Sequence, residues 1–269
     1  MQVEEKALKL VGWKAKKTAY VEFYRCPGCA RSQETIFWGA DNMAECFSCQ
    51  RSFPRDAFAL AKVRRVVAEC RECGADVPLT SSNYGLAGLG YICAGCGNYV
   101  AISYGNQTIN PSEALKPTWN PTLRERGERV DSGLVLTQCR TKKDYLVVRL
   151  LQVLAKEEDS RFMFVRDNEQ SAGILLDASN GKYLGFLVWN QSEGHVILRQ
   201  IFIVPDERRK GLATRLVTFW VEHYADKVND TFGIESPNEK ALNLHIKLRH
   251  ARMEGDSVKG LKCFFVSGL

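Results

Sequence analysis

Eight cysteines in four CxxC pairs constrain this chain more than any other feature. They are Cys26/Cys29, Cys46/Cys49, Cys70/Cys73 and Cys93/Cys96, with gaps of the form CxxC-x16-CxxC and CxxC-x19-CxxC. Two intervening residues let one tight turn present both sulfurs to a metal at about 2.3 Å, and a second such turn completes the tetrahedron. Both sets therefore read as zinc ribbons, each with a structural Zn2+. Iron in a rubredoxin-like site is the alternative, because an all-sulfur tetrahedron suits both metals. With every ligand position filled by protein, these are structural and not catalytic centres. Gly28, Gly74, Gly95 and Gly97 lie in or beside the turns, where positive φ is often needed. Cys139 and Cys263 fall outside the scheme, in apolar strand-like segments, and read as small core residues.

A disulfide framework would demand an oxidising compartment. The N-terminus, MQVEEKALKLVGWKAKK, has acidic residues where a secretion signal needs basic ones, and it lacks a long apolar stretch. No apolar run approaches the roughly 18–20 residues that span a bilayer. A reducing, cytoplasmic location is expected, with no membrane partner. At 269 residues, 45% hydrophobic and 25% charged, the chain has room for several packed domains. Its formal net charge of +6 invites a nucleic-acid reading. Two sets of four thiolates, each neutralised in part by one Zn(II), reduce that to about +2. Local clusters such as Lys14-Ala15-Lys16-Lys17 and Arg64-Arg65 remain candidate phosphate contacts beside their plainer role as solvated surface.

The organisation expected is a first ribbon over 1–55, a connecting segment and second ribbon over 56–104, a linker over 105–130, and a larger domain over 131–269. The apolar residues of Asp56–Val67 permit a short helix between the ribbons. Pro111, Pro117 and Pro121 mark the linker, with one short helix near Ser112. From Gly133 the pattern becomes strand, helix, three or four strands, helix, strand, helix, strand. The helices are placed at Lys142–Glu158, Glu207–Ala225 and Asn238–Arg249, and a hairpin turn at Ser179-Asn180-Gly181.

The segment HVILRQIFIVPDERRKGLATRL joins an apolar strand to an amphipathic helix through a basic turn. A helix N-terminus offers free N–H groups and partial positive charge, so a diphosphate can bind there. Gly211 allows close approach of the backbone, Ala213 is small, and Arg208, Arg209 and Lys210 add charge. This stretch resembles motif A of the GNAT superfamily of acyl-CoA-dependent N-acetyltransferases, with Arg208-Arg209-Lys210-Gly211-Leu212-Ala213 as the Q/R-x-x-G-x-G/A element, followed by Thr214. Asn238, Ala241, Leu244, His245 and Lys247 are similar to that family's N-x-x-A-x-x-L-Y/H-x-K-x-G-F stretch, while Arg249 and His250 stand in place of Gly-Phe. The resemblance extends from about Ser132 to Leu269. It implies an α+β GNAT fold, a mixed sheet with flanking helices, appended to two small ribbons.

The resemblance also implies a chemistry. Splaying of the central strand would free the amides of Phe202, Ile203 and Val204 for the pantetheine arm and the thioester carbonyl of acetyl-CoA, stabilising an oxyanion. The basic turn would hold the diphosphate, and Asn238 belongs to the same cofactor site. His245 falls where the family carries the acid that protonates the leaving thiolate, and an imidazolium can serve near neutral pH. No acid lies between Val196 and Val204, so the base is open, with Glu235 or an ordered water as candidates; Asp206 and Glu207 read as charges at a helix N-terminus.

The first ribbon, with a hydrophobic strand before Cys46-Phe47-Ser48-Cys49, weakly resembles the zinc ribbons of bacteriophage-type DNA primases. That implies contact with single-stranded nucleic acid through aromatics such as Phe37 and Trp38, which otherwise pack the small ribbon core. The expectation is an N-acyltransferase acting on a macromolecular amine, a base of DNA or RNA or a nucleic-acid-associated protein, selected through the ribbons. A non-catalytic binding module on the same scaffold and a small-molecule acetyltransferase are the alternatives.

Overall fold

The computed structural model describes residues 9–33, 37–38, 42–46, 48–79, 89–104, 107–159, 162–167, 169–192, 194–228 and 230–266. The chain forms two compact units, Leu8–Ser112 and Glu113–Leu269.

In the first unit, β1 (Trp13–Arg25), β2 (Ser32–Gln33), β3 (Phe37–Trp38), β4 (Met43–Glu45) and β5 (Ser52–Pro54) precede β6 (Ala59–Cys70), β7 (Asp76–Pro78), β8 (Gly90–Ile92), β9 (Tyr99–Tyr104) and β10 (Gln107–Ile109). They make sheets β2-β1-β6-β7, β3-β4-β5 and β10-β9-β8. The helix expected within Asp56–Val67 is absent. After one 3-10 turn at Arg55–Ala57 the chain runs as β6, paired antiparallel with β1 from Arg25↔Ala59 to Lys16↔Ala68. Val63, Val66 and Val67 favour extended backbone, and β1 supplies hydrogen-bond partners that a lone short helix would not have.

The second unit begins within the stretch expected as a linker. A one-turn α1 (Pro111–Ala114) is followed by α2 (Thr122–Glu125) and β11 (Glu128–Arg129). Leu123 is fully buried, and β11 pairs with β12 (Leu134–Gln138). Asn120 and Arg126 both bond the buried carboxylate of Asp144, Asn120 at 2.9 Å and Arg126 at 3.0 Å to each oxygen. Burial pushes that carboxyl up, but N–H donation from Arg140 and Thr141, with Arg126 and Asn120, outweighs it and holds the pKa below the usual carboxylate value. A Pro- and Asn-rich composition thus marks irregular backbone here, but irregular backbone tied to the core.

The remaining elements are α3 (Lys142–Lys156), β13 (Ser171–Asp177), β14 (Tyr183–Ser192), β15 (His195–Ile203), α4 (Leu212–Trp220), β16 (Phe232–Glu235), α5 (Glu239–Lys247), the hairpin β17 (Ala251–Glu254) and β18 (Ser257–Gly260), and β19 (Cys263–Val266). Their seven-stranded sheet has the order β11-β12-β13-β14-β15-β16-β19. It is antiparallel as far as β15, then parallel across β15–β16 and β16–β19. Thr141 and Asp144 form a capping box that starts α3, whose Val147, Val148 and Leu151 pack with Val135, Ile174 and Phe186. Leu216, Val217 and Trp220 of α4 pack with Leu136, Leu187 and Phe232 in a second cluster. Successive residues of β12, Val135 and Leu136, enter different clusters, as a strand buried on both faces requires. This is the α+β GNAT fold. No helix among the described residues is long and apolar enough to cross a membrane.

Candidate active site

The gap between β15 and β16 is the centre of the candidate site. The two strands pair at Ile197↔Gly233 and Leu198↔Ile234, and β15 then runs on from Arg199 to Ile203 with no partner in β16. Strand geometry decides which amides enter that gap. Val204 donates to the Leu184 carbonyl at 3.0 Å, and Phe202 is paired with Phe186 of β14. Successive residues of a strand aim their N–H groups to opposite edges. Ile203 and Ile201 therefore face the gap, whereas Phe202 and Val204 face β14. Of the three amides expected to serve, that of Ile203 faces the gap and those of Phe202 and Val204 do not, while the Ile201 amide, outside the three, faces it as well. The two-residue repeat of a strand was the available signal, since three consecutive amides cannot share one edge.

After β15 comes a 3-10 turn, Pro205–Glu207, and then two residues with left-handed backbone, Arg209 (φ 61°) and Gly211 (φ 74°). Gly211 is the N-cap of α4, so the helix starts at Leu212 and not at Glu207. Among the described residues, none of the N–H groups of residues 209–214 has a backbone partner. A Cβ added at Gly211 would meet no atom within 4 Å, so the turn opens onto free space. Converging unpaired N–H groups at a helix N-terminus form an anion cradle.

The basic side chains around it are mostly engaged. Arg208 donates from Nε to the Ile203 carbonyl at 2.9 Å and pairs with both oxygens of Glu158, at 2.7 and 2.8 Å. Lys210 and Lys182 share Glu207, each at 2.7 Å. Those two hydrogen bonds, from Lys182 first, hold the Glu207 carboxyl below its ordinary pKa. Arg209 is exposed and, among the described residues, has no ion-pair partner. Leu212 is buried, while Ala213 and Thr214 are half-buried in the first turn of α4. Asn238 caps α5 by accepting from the Ala241 N–H at 2.9 Å.

His245 does not sit where a proton donor must. Its ring is fully buried, Nδ1 lies 3.1 Å from Nδ1 of His250, and Nε2 is buried without a partner. Burial, aided by His250, pushes its pKa down to about 4. At neutral pH the ring is uncharged and has no path to solvent, so the imidazolium role is corrected to that of a core residue. An unpaired lone pair costs less than an unpaired N–H, which puts the shared proton on Nδ1 of His245. Glu235 forms an ion pair with Arg199 across the mouth of the gap.

In the first unit the eight paired cysteines form two clusters, Cys26-Cys29-Cys46-Cys49 and Cys70-Cys73-Cys93-Cys96, each with its sulfurs within 4.8 Å of one another. Four of the contacts measure 3.4 to 3.8 Å. The edge of a tetrahedron of sulfurs about a zinc ion is about 3.8 Å, so the donor set fits that metal. All four CxxC turns are built alike. The N–H four residues after the first cysteine returns to that cysteine's carbonyl, from Ala30, Gln50, Gly74 and Gly97. These same four residues have positive φ, between 55° and 76°. Gly28 and Gly95 do not, and serve by their size instead. A Cβ on Gly28 would lie 2.5 Å from the Phe53 ring, and one on Gly95 3.2 Å from the Cys73 sulfur. Phe37 and Trp38 form β3, but their side chains lie outside the described residues.

A strand that parts from its parallel neighbour beside unpaired N–H groups at a helix N-terminus leaves room for an extended anionic ligand. The sequence matches the Acetyltransferase (GNAT) family over residues 143–249, and this chain carries an N-acetyltransferase domain of that family, whose cosubstrate is acetyl-CoA. Solved structures similar to the chain include the xEco2 acetyltransferase domain bound to a CoA conjugate (11% identity, covering 44% of this chain and 88% of that one, TM-score 0.37). Another is a possible acetyltransferase from Clostridium difficile 630 (14% identity, 47% and 95% coverage, TM-score 0.35). No curated protein matches the sequence.

Proposed function

We propose that this protein transfers the acetyl group of acetyl-CoA to an amine on a macromolecule, a nucleic-acid base or a protein bound to nucleic acid, chosen through its two four-cysteine modules. The observation that carries the site is the left-handed turn at Arg209 and Gly211, which opens six N–H groups at the head of α4 beside the free edge of β15. In this reading the diphosphate lies on the N–H groups of residues 209–214, with Arg209 as the available cation. The pantetheine arm follows the free edge of β15 towards Asn238. The neutral amine adds to the thioester carbonyl, the oxyanion accepts from the Ile203 N–H, the carbonyl reforms as the C–S bond breaks, and the proton lost by the amine passes through water to the departing CoA sulfur. Cys26, Cys29, Cys46 and Cys49 hold one Zn2+, and Cys70, Cys73, Cys93 and Cys96 the other. With all four positions of each taken by sulfur, the metals shape the modules and leave the chemistry to the other unit.

Transfer of radiolabel from acetyl-CoA tests this, with single-stranded DNA, duplex DNA, RNA and mixed cell protein offered separately. Label on nucleic acid or on protein supports a macromolecular acceptor and says which kind it is. Binding of acetyl-CoA with no label on any of them refutes it. Absence of acetyl-CoA binding removes the catalytic reading altogether and leaves an interaction module.

A further inference from the structure

The long β1–β6 ribbon has one face that the site does not use. The register places Thr18 opposite Val66, Tyr20 opposite Arg64, Glu22 opposite Lys62 and Tyr24 opposite Leu60, and side chains at these positions share one face. The face is bare. Tyr20 is 72% exposed, Leu60 60% and Val66 53%. Arg64 and Lys62 are exposed beside them, as is Glu22 opposite Lys62. At the Tyr24–Leu60 end the face runs into an open groove of about 410 Å³, lined also by Phe58, Arg55, Asp56 and Asn42. An exposed tyrosine on an exposed strand is ordinary. An exposed tyrosine flanked by an unburied arginine and lysine, on a surface continuous with an aromatic groove that carries a second arginine, is a track.

We infer that this face, from Tyr20 and Arg64 to the groove at Tyr24 and Arg55, binds single-stranded nucleic acid. The inference deepens the reading of the enzyme as one that acts among nucleic acids and rests on it. Unpaired bases stack on aromatic rings whatever their sequence, and guanidinium and ammonium groups beside the rings meet the backbone. Strands offer a side chain to the same face every second residue, at about 6.6 Å, which suits an extended chain of nucleotides. Duplex bases are stacked on one another and cannot use the tyrosines. A protein partner fits less well, because lysine and other charged residues are depleted from the cores of protein interfaces, and here cations break up the apolar residues.

The test is fluorescence anisotropy with the full chain and short fluorescein-labelled homopolymers of DNA and of RNA, single-stranded and duplex, at low and moderate salt. Tyr20→Ala and Arg64→Ala are each expected to weaken single-strand binding by roughly fivefold or more, Tyr20→Phe to restore it, and Arg64→Ala to flatten the salt dependence. Preference between the DNA and RNA homopolymers tells which of the two the face receives. Both side chains are exposed, so folding is checked by zinc content and circular dichroism. Binding by the wild type that is indifferent to all these substitutions overturns the face and leaves the proposed acetyl transfer intact. Duplex binding as tight as single-strand binding overturns it as well. No binding to any oligonucleotide, with acetyl transfer to protein retained, overturns it in favour of a protein acceptor.

Discussion

His245 and His250 meet through their Nδ1 atoms behind Phe232, in the core that α5 helps to close. A histidine whose folded pKa lies below its unfolded value binds fewer protons folded than unfolded between the two. The stability it contributes is present above pH 6.5 and is lost as pH falls through about 4. The difference corresponds to about 3 kcal/mol at full titration. Thermal unfolding followed at pH 7 and pH 4.5 is expected to show a steep fall in Tm for the wild type and a much smaller one for His245→Leu. The same variant is expected to leave the pH profile of kcat in place. Displacement of the alkaline limb would restore the ring as proton donor. At Gly211, φ of 74° costs an L-residue about 1–2 kcal/mol, so a side chain there strains the turn that opens the N–H groups. Gly211→Val is expected to raise KM for acetyl-CoA tenfold or more, read directly from initial rates.

Elements set what these residues can reach. Only a strand longer than its neighbour leaves a free edge, and β15 outruns its pairing with β16 by the stretch from Arg199 to Ile203. Where β15 turns into α4, Arg208 is drawn back by Glu158 and the Ile203 carbonyl, away from the free N–H groups. The pair with Glu158 is about one-third exposed on each side and so is worth about 1 kcal/mol or less. Glu158→Gln is expected to lower KM for acetyl-CoA by up to about fivefold with kcat unchanged, as steady-state kinetics would show. An unchanged or higher KM would mean that Glu158 orients Arg208 for the diphosphate.

At the scale of the whole molecule the two units hold together by different means. The Leu8–Ser112 unit has small cores, one of them built from Cys26, Ala44, Cys46 and Phe58, whereas the Glu113–Leu269 unit has two extended apolar clusters on opposite faces of its sheet. Domains too small for a sufficient core depend on metals or other cross-links. Elemental analysis is expected to find two zinc ions per chain. Chelation is expected to unfold the cysteine unit, seen as lost protection from proteolysis within residues 9–104, while acetyl-CoA still binds. Loss of acetyl-CoA binding on chelation would show that the units are energetically coupled.

Cysteine spacing, the basic turn before α4 and the order of strands and helices after Gly133 were legible from the sequence because each depends on residues close together in the chain. Even the left-handed positions of the CxxC turns follow a local rule, though Gly74 and Gly97 announce it and Ala30 and Gln50 do not. Other properties depended on what distant segments bring. Strand pairing with β1 turned Asp56–Val67 away from helix, and Asp144 drew the proline-rich stretch onto the core. Pairing with β14 decided which amides of β15 are free. His250 and Phe232 closed over His245 and removed the charge that its motif position suggested. A motif names the residue types at a site, but burial and hydrogen-bond partners determine protonation and direction, and these come from contacts across the fold.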